Sequence, residues 1–232
     1  MRAVKDSEEI SLIERAINIT EKSFEFILKN LKPGLTEKEI AWELEKFMRE
    51  LGASKNAWDN LIVASGPNSS MTHYAAGERK IQKGDTVLLD WGCYFQGYCC
   101  DISRVVFLGN PTDKQAHVYN LVLESQKKAI EKVRAGVKTK EIDLAARNFL
   151  KEKTEHYFKH AIGHGVGIEV HELPRLNEKS KEKLEIGNII TIEPGVYEPL
   201  WGGIRIEDMF LVTEEGSRLL TKLGKNLEDI VV

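Results

Sequence analysis

The chain has 232 residues, enough for one sizeable core and barely enough for two small ones. Apolar residues make up 42% and charged residues 30%, an ordinary globular mix, and a formal net charge of -3 offers no basic field for nucleic acid or an acidic membrane surface. No apolar run approaches the ~20 residues of a membrane span, and the opening MRAVKDSEEI is too polar for a secretion signal. Three clustered cysteines, Cys93, Cys99 and Cys100, are too few for a disulfide framework and point to a reducing cytoplasm.

Ile10, Ile13, Ala16, Ile17 and Ile19 keep close to helical spacing and predict a helix over 7–30, opening near Ser7 and Glu9. Pro33-Gly34 breaks it. Thr36, with Glu39 three residues later, is a capping box for a second helix, TEKEIAWELEKFMRELG, which Gly52 ends. NLIVASG then reads as a short strand. Residues 85–109, DTVLLDWGCYFQGYCCDISRVVFLG, hold two β-prone runs around Tyr94-Phe95-Gln96-Gly97 and predict a hairpin. A turn centred on Phe95 and Gln96 would place Asp90 directly opposite Asp101.

The same grammar returns after residue 117. LKPGLTEKEIAWELEKFMRE (31–50) aligns without gaps to VRAGVKTKEIDLAARNFLKE (133–152), with identities at Gly34/Gly136, Lys38/Lys140, Glu39/Glu141, Ile40/Ile142, Phe47/Phe149 and Glu50/Glu152. The repeat predicts a pseudo-symmetric α+β domain of two halves, roughly 1–110 and 111–232, each a helix pair feeding strands. Carried forward, the offset of 102 residues lays IVASG (62–66) on HGVGI (164–168). In GHGVGIEVHELP, Val166, Ile168 and Val170 share the parity of His164, as on a strand. His171 has the opposite parity, so the chain must bend near residue 170 for both histidines to face one site. The glycines read as room for substrate and metals against the backbone. NIITIEPGVY (188–197) and IRIEDMFLVT (204–213), joined by EPLWGG, predict a second hairpin, and no linker divides the chain.

Asp90, Asp101, Glu193 and Glu207 sit among apolar strand residues. Acids are poor strand formers, like charges across a sheet repel, and burial of four of them costs heavily unless a cation neutralises them. With His164 they form an oxygen-rich set with one imidazole, too acidic for a structural zinc site. The set suits two divalent ions, Mn, Co, Fe or Zn, sharing bridging carboxylates. Paired metals of this kind generate a hydroxide nucleophile in aminopeptidases.

LLDWGCYFQGYCCDISR, GHGVGIEVHELP, TIEPGVY and GGIRIED resemble the metal-binding blocks of the Xaa-Pro peptidases, prolidase and aminopeptidase P. ASGPNSSMTHY resembles the same family's substrate-side histidine block, and the likeness runs from KDSEEISLIERA to LVTEEGSRLLTK. It implies a pseudo-two-fold pita-bread (creatinase/aminopeptidase) fold, a mixed or antiparallel curved sheet with helices on its outer face. It also implies a dinuclear-metal enzyme that hydrolyses the Xaa-Pro bond at the N-terminus of small peptides by a metal-bridged hydroxide. Asp90, Asp101, His164, Glu193 and Glu207 would be the ligands, with Asp101 and Glu207 bridging, Asp90 completing one site and His164 with Glu193 the other. Glu193 would also shuttle protons, His171 and His73 would contact the substrate, and Arg205 would orient a bridging carboxylate.

Methionine aminopeptidase is the nearest rival, but VHELP and IRIED depart from its usual blocks, which put Thr after the second histidine and read Phe-Glu-His at the last glutamate. A third reading is a non-catalytic pita-bread binding module, which typically loses metal ligands that this chain keeps. The family's usual preceding domain, which assists dimerisation and restricts substrate length, is absent: the chain begins where the catalytic domain would. It therefore reads as a trimmed chain or as a short member with unusual specificity, and is compatible with a homodimer. Of the remaining residues, His160 reads as a packed core histidine, His117 and His156 as solvated in helical stretches, and Cys99 and Cys100 as small buried strand residues. Tyr74 and Trp201 suit a pocket wall or surface packing equally.

Overall fold

The computed structural model describes residues 2–232. Four helices and a set of short strands alternate as the repeat requires. Helix α1 (Ser7–Asn30) starts where the periodicity starts, but its cap is Asp6, whose carboxylate accepts the N–H groups of Glu8 and Glu9 while Glu9 accepts the N–H of Asp6. Helix α2 (Glu37–Glu50) is closed by the Thr36–Glu39 capping box read from the sequence. Strands β1 (Lys55–Asn56), β2 (Ile62–Ser65), β3 (Thr86–Trp91), β4 (Cys93–Phe95), β5 (Tyr98–Cys99) and β6 (Ile102–Phe107) complete the first half. The second half runs α3 (Asp113–Ile130), α4 (Thr139–Lys151), β7 (Gly163–Gly165), β8 (Glu172–Leu176), β9 (Ile189–Ile192), β10 (Gly195–Glu198), β11 (Gly202–Arg205), β12 (Asp208–Val212) and β13 (Ser217–Leu219).

The halves repeat each other in topology. In the first, β2 pairs β3 and β3 pairs β6; in the second, β7 pairs β9 and β9 pairs β12, all antiparallel. The turns before α2 and α4 match in detail. Gly34 and Gly136 take positive φ, and their N–H groups donate to Ile81 and Leu184 respectively. Two residues on, Thr36 bridges Lys80 and Lys138 bridges Lys183. Glycine at both turns is required because an L side chain resists that backbone region. The matching hydrogen bonds make the sequence repeat a structural one.

Both faces of the central strands are apolar. On β3, Val87, Leu89 and Trp91 join a core built on α1 and α2, with Ile13, Phe24, Ile40 and Leu44. Leu88 joins a second core built on α3 and α4, with Val122, Ile142 and Leu150. In β12 the alternation repeats, with Met209 and Leu211 in the first core and Phe210 and Val212 in the second. A period of two explains this division: successive strand residues point to opposite faces.

The first hairpin is in a different register from the one expected. Its turn falls on Gln96-Gly97, both at positive φ, with Phe95 paired to Tyr98. Such a two-residue turn with glycine second matches the twist of the strands better than one centred on Phe95-Gln96. Asp90 therefore pairs with Ser103, not Asp101, and Asp101 lies beyond the paired strands, between β5 and β6. The segment after His164 also differs from a strand. Strand β7 ends at Gly165, residues 166–171 form a loop, and Gly165 pairs directly with Glu172. The second hairpin forms as read, β10 against β11 around Leu200.

The halves are joined behind the strands by a buried ion cluster. Asp208 accepts Arg104 Nη2 at 2.6 Å, Lys225 Nζ at 2.6 Å, Thr221 Oγ1 at 2.6 Å and Gln126 Nε2 at 3.0 Å. Burial pushes its carboxyl up, but Arg104 and Lys225 outweigh that and hold it below the ordinary range. Arg104 also donates to the carbonyls of Ser103 and Glu207, so the cluster fixes backbone that carries the site described below. Asp208→Asn leaves a buried guanidinium without its counter-charge and is expected to cost about 3–5 kcal/mol, read as a lower midpoint in denaturant unfolding. A change below about 1 kcal/mol would show that the cluster is solvated in solution.

Candidate metal centre

The acids lie where pairing stops. Asp101 sits between β5 and β6, Glu193 between β9 and β10, and Glu207 between β11 and β12, while Asp90 is the next-to-last residue of β3. At these breaks the backbone makes bonds outside its own hairpin: Glu193 N–H donates to Ile162 O at 2.8 Å and Glu207 N–H to Ser103 O at 3.1 Å. The second of these bonds crosses from one half to the other. The flanking pairs Ile192–Asp208 and Gly195–Arg205 share one register, which sets Glu193 opposite Glu207. Each hairpin therefore delivers two carboxylates to the line where the halves meet.

All eight residues singled out in the sequence line one cavity of ≈ 700 Å³: His73, Asp90, Asp101, His164, His171, Glu193, Arg205 and Glu207. One oxygen each from Asp90, Asp101 and Glu207 lies within 4.8 Å of the others, and the same holds for ligand atoms of His164, Glu193 and Glu207. Asp101 and His164 form a third such group with His171. His164 Nδ1 lies 3.1 Å from Gly165 O, an acceptor only, so Nδ1 carries the proton and Nε2 presents a lone pair. That Nε2 is 3.5 Å from both Asp101 Oδ2 and Glu193 Oε1. Burial, then the neighbouring His171, lowers the His164 pKa to about 3, which keeps the ring neutral and able to ligate.

The carboxylates lack enough protein partners for their burial. Asp90 Oδ1, Asp101 Oδ1 and Glu207 Oε1 are buried without a hydrogen bond. Burial and the repulsion of neighbouring acids push Asp101 and Glu207 well above the ordinary carboxyl range, and burial raises Glu193 to about 8. Orphaned acceptors of one sign, converging with a neutral imidazole, fit divalent cations as the missing counter-charge.

Arg205 reaches Glu207, a carboxylate expected to bridge, through a serine, and takes Asp90 directly. Its Nη2 donates to Asp90 Oδ2, and its Nε donates to Ser103 Oγ at 2.8 Å, which in turn donates to Glu207 Oε2 at 2.9 Å. It thus holds Asp90 directly and Glu207 through a serine. His160 is likewise at the site and not in the core packing. Its Nδ1 donates to Ala161 O at 2.7 Å and lies 3.8 Å from Glu193 Oε2, so Nε2 accepts Tyr197 OH at 3.0 Å. Tyr197 completes the chain by accepting Arg205 Nη1 at 2.9 Å. Ser103 and Tyr197 escaped the sequence reading. Ser103, a small polar residue inside the apolar run of β6, carried a faint signal, whereas Tyr197 carried none.

The loop after Gly165 brings His171 back against His164, ring centroids 4.3 Å apart at 69°. The bend required for both histidines to meet is therefore real, but it starts at residue 166. The glycines serve a purpose other than room for metals. A Cβ on Gly163 would lie 2.0 Å from Thr191 O, and one on Gly165 would lie 2.2 Å from Leu173 O, so both admit the backbone of neighbouring strands. His73 is exposed in the lining of the cavity, beside Thr72, whose carbonyl accepts Arg205 Nη1 at 3.4 Å. Tyr74 is part of the same lining and donates to the buried Glu37 at 2.8 Å, whereas Trp201 lies under Lys114 away from the cavity. Cys93, Cys99 and Cys100 are fully buried; His117 is exposed on α3, and His156 is half-buried in a turn after α4, not in a helix.

The sequence model of metallopeptidase family M24 matches residues 11–214. The Xaa-Pro dipeptidase of Pyrococcus horikoshii is 43% identical over 228 residues, 98% of this chain and 65% of that protein. Among solved structures, the Xaa-Pro dipeptidase from Bacillus anthracis superposes with a TM-score of 0.95 at 43% identity, covering 100% of this chain and 64% of that one. The X-Pro aminopeptidase from Thermotoga maritima gives 0.96 at 40%, covering 100% and 65%. The chain thus spans 65% of the length of its curated relative from Pyrococcus horikoshii and carries the fold of these enzymes over its whole length. A family match over most of the residues, a shared fold and a convergent acid–imidazole cavity together establish that the chain belongs to metallopeptidase family M24.

Proposed function

We propose that this chain is the catalytic unit of a dinuclear-metal Xaa-Pro peptidase, cleaving the bond between an N-terminal residue and proline in small peptides. The observation that carries this reading is the convergence of four acids and a neutral imidazole, three of their oxygens buried without partners, in a cavity large enough for a dipeptide or a peptide end. Asp90, Asp101 and Glu207 would hold one ion and His164, Glu193 and Glu207 the other, with Asp101 beside both. Bound divalent ions supply Lewis acidity, lowering the pKa of water and polarising a carbonyl.

The chain's own groups would do the rest. Glu193 has one oxygen towards His164 and the other towards His160, and burial raises its carboxyl into the range where it can both take and give a proton near neutrality. It is suited to carry a proton from water to the leaving nitrogen. Arg205 fixes Asp90 and, through Tyr197, fixes His160 behind Glu193. His171 and His73 line the cavity and would donate hydrogen bonds to the substrate as its carbonyl becomes tetrahedral.

Dialysis against chelator followed by Mn or Co add-back, with Xaa-Pro dipeptides, longer Xaa-Pro peptides and Met-Ala peptides assayed side by side, tests the reading. Metal-dependent cleavage of the Xaa-Pro substrates is expected, and cleavage of none of the three would end it. Glu193→Gln should lower kcat by roughly 10²–10⁴-fold; turnover within a few fold of wild type would remove Glu193 from the proton path.

Stability should report the same charges. The folded-state carboxyls of Asp101, Glu193 and Glu207 are raised, so in metal-free protein their contribution is fully present below the unfolded carboxyl range and lost as pH rises, through about 8 for Glu193. Divalent ions should therefore raise Tm more at pH 8 than at pH 5. Thermal melts with and without Mn at both pH values check this, and an equal or reversed increment would show that the carboxylates are not the groups the ion relieves.

A further inference from the structure

The segment ahead of α1 reaches the back of the His171 loop. Ala3 O accepts Asn188 Nδ2 at 3.0 Å, Val4 bridges Asn188, and Lys5 N–H donates to Gly187 O at 2.9 Å, so the segment lies along the entry to β9. Lys5 Nζ then lies 2.6 Å from Glu172 Oε1, the two side chains being 1% and 5% exposed. Arg2 Nε donates to Glu172 Oε2 at 2.9 Å, and Arg2 also meets Glu169 at 3.0 Å. Glu172 follows His171 directly. Its carboxylate meets Lys5 while the imidazole of His171 packs against His164.

Gly167 is an independent sign that this pairing is built in. A Cβ there would lie 2.7 Å from Glu172 Oε1 and 2.8 Å from Lys5 Cε, so glycine is what lets the ion pair pass beneath the loop. On its other side the Gly167 carbonyl accepts Cys99 N–H at 2.9 Å. The loop is thus held between a strand of the first half and the N-terminal segment.

We infer that the Lys5–Glu172 ion pair positions His171, which makes residues 2–5 a working part of the site; the inference rests on His171 serving the substrate side proposed above. A carboxylate this buried does not stay in place without its cation. With Met in place of Lys5, Glu172 turns to solvent and draws 166–172 with it, and His171 leaves His164. Neither Lys5 nor Glu172 belongs to the ligand groups, so the ions stay.

The test compares metal-loaded wild type, Lys5→Met, Lys5→Arg and Glu172→Gln in bound metal, kcat, KM and hydrogen exchange over 166–172. Lys5→Met and Glu172→Gln should keep their metal, lose roughly tenfold or more in kcat with a smaller change in KM, and exchange faster across the loop. Lys5→Arg should recover most of the kcat. A lower Tm with unchanged kcat and unchanged loop exchange would overturn the inference, as would loss of bound metal that accounts for the lost activity. Arg2→Ala, which removes only the half-exposed outer partner, should give a smaller rise in exchange should Lys5→Met fail to fold. No rise there would also overturn it. A wild type that cleaves no peptide contradicts the proposed function alone, because loop exchange reads the clamp without reference to activity.

Discussion

Repulsion among four carboxylates, two buried and two largely so, is the constraint around which the chain is arranged. Asp90, Asp101, Glu193 and Glu207 converge where the two halves meet, and no lysine stands among the residues of that cavity. Arg205 touches one of them directly, and only one oxygen of it. Such an arrangement is unfavourable in a low-dielectric interior unless cations enter. The apolar cores on either side of the strands exclude water from the back of the site and make that demand stricter.

The pseudo-symmetry supplies the acids but not in the same way twice. In the second hairpin Glu193 and Glu207 face each other across a common register, whereas in the first Asp90 faces Ser103 and Asp101 lies beyond the pairing. The difference has a use. Ser103 occupies the position where a second acid would otherwise oppose Asp90, and from there its hydroxyl joins Arg205 to Glu207. One residue of the first half thereby orders a carboxylate of the second.

The helices were legible in sequence because capping residues and a 3.6-residue period are local signals, and the repeat at Gly34 and Gly136 exposed the two-fold plan. The ligand candidates were legible because acids inside apolar strands contradict their surroundings. Register was less so: whether Phe95-Gln96 or Gln96-Gly97 forms the turn moves the partner of Asp90 by two positions, from Asp101 to Ser103, and only the preference for glycine at positive φ decides. The loop at 166–171 was hidden for a related reason. Alternating Val166, Ile168 and Val170 imitate a strand, while the true cause of Gly163 and Gly165 lies in backbone from β8 and β9 that local pattern cannot show. His160 and Tyr197 depend on side chains meeting from separate segments, which no single stretch encodes.

The buried acids fall into two groups by what answers their charge. Glu37 accepts from Ser65, Asn68, Tyr74 and Gly77 and so holds the segment bearing His73. Asp143 accepts both arms of Arg147 and the N–H of Ile162, while Arg147 donates to the carbonyls of Phe158 and His160. Glu172 has Lys5 and Arg2, and Asp208 has Arg104 and Lys225. Each of these is satisfied within the chain, and three of the four anchor a segment that carries a histidine to the cavity. Asp101, Glu193 and Glu207, with the free oxygen of Asp90, have neither such a cation nor a comparable set of donors. Burial alone therefore does not mark the metal site; acceptor oxygens left without donor or cation in the chain do. The satisfied acids fix the geometry that keeps the unsatisfied ones together, and the acidity of the chain is thereby divided between holding the site and being the site.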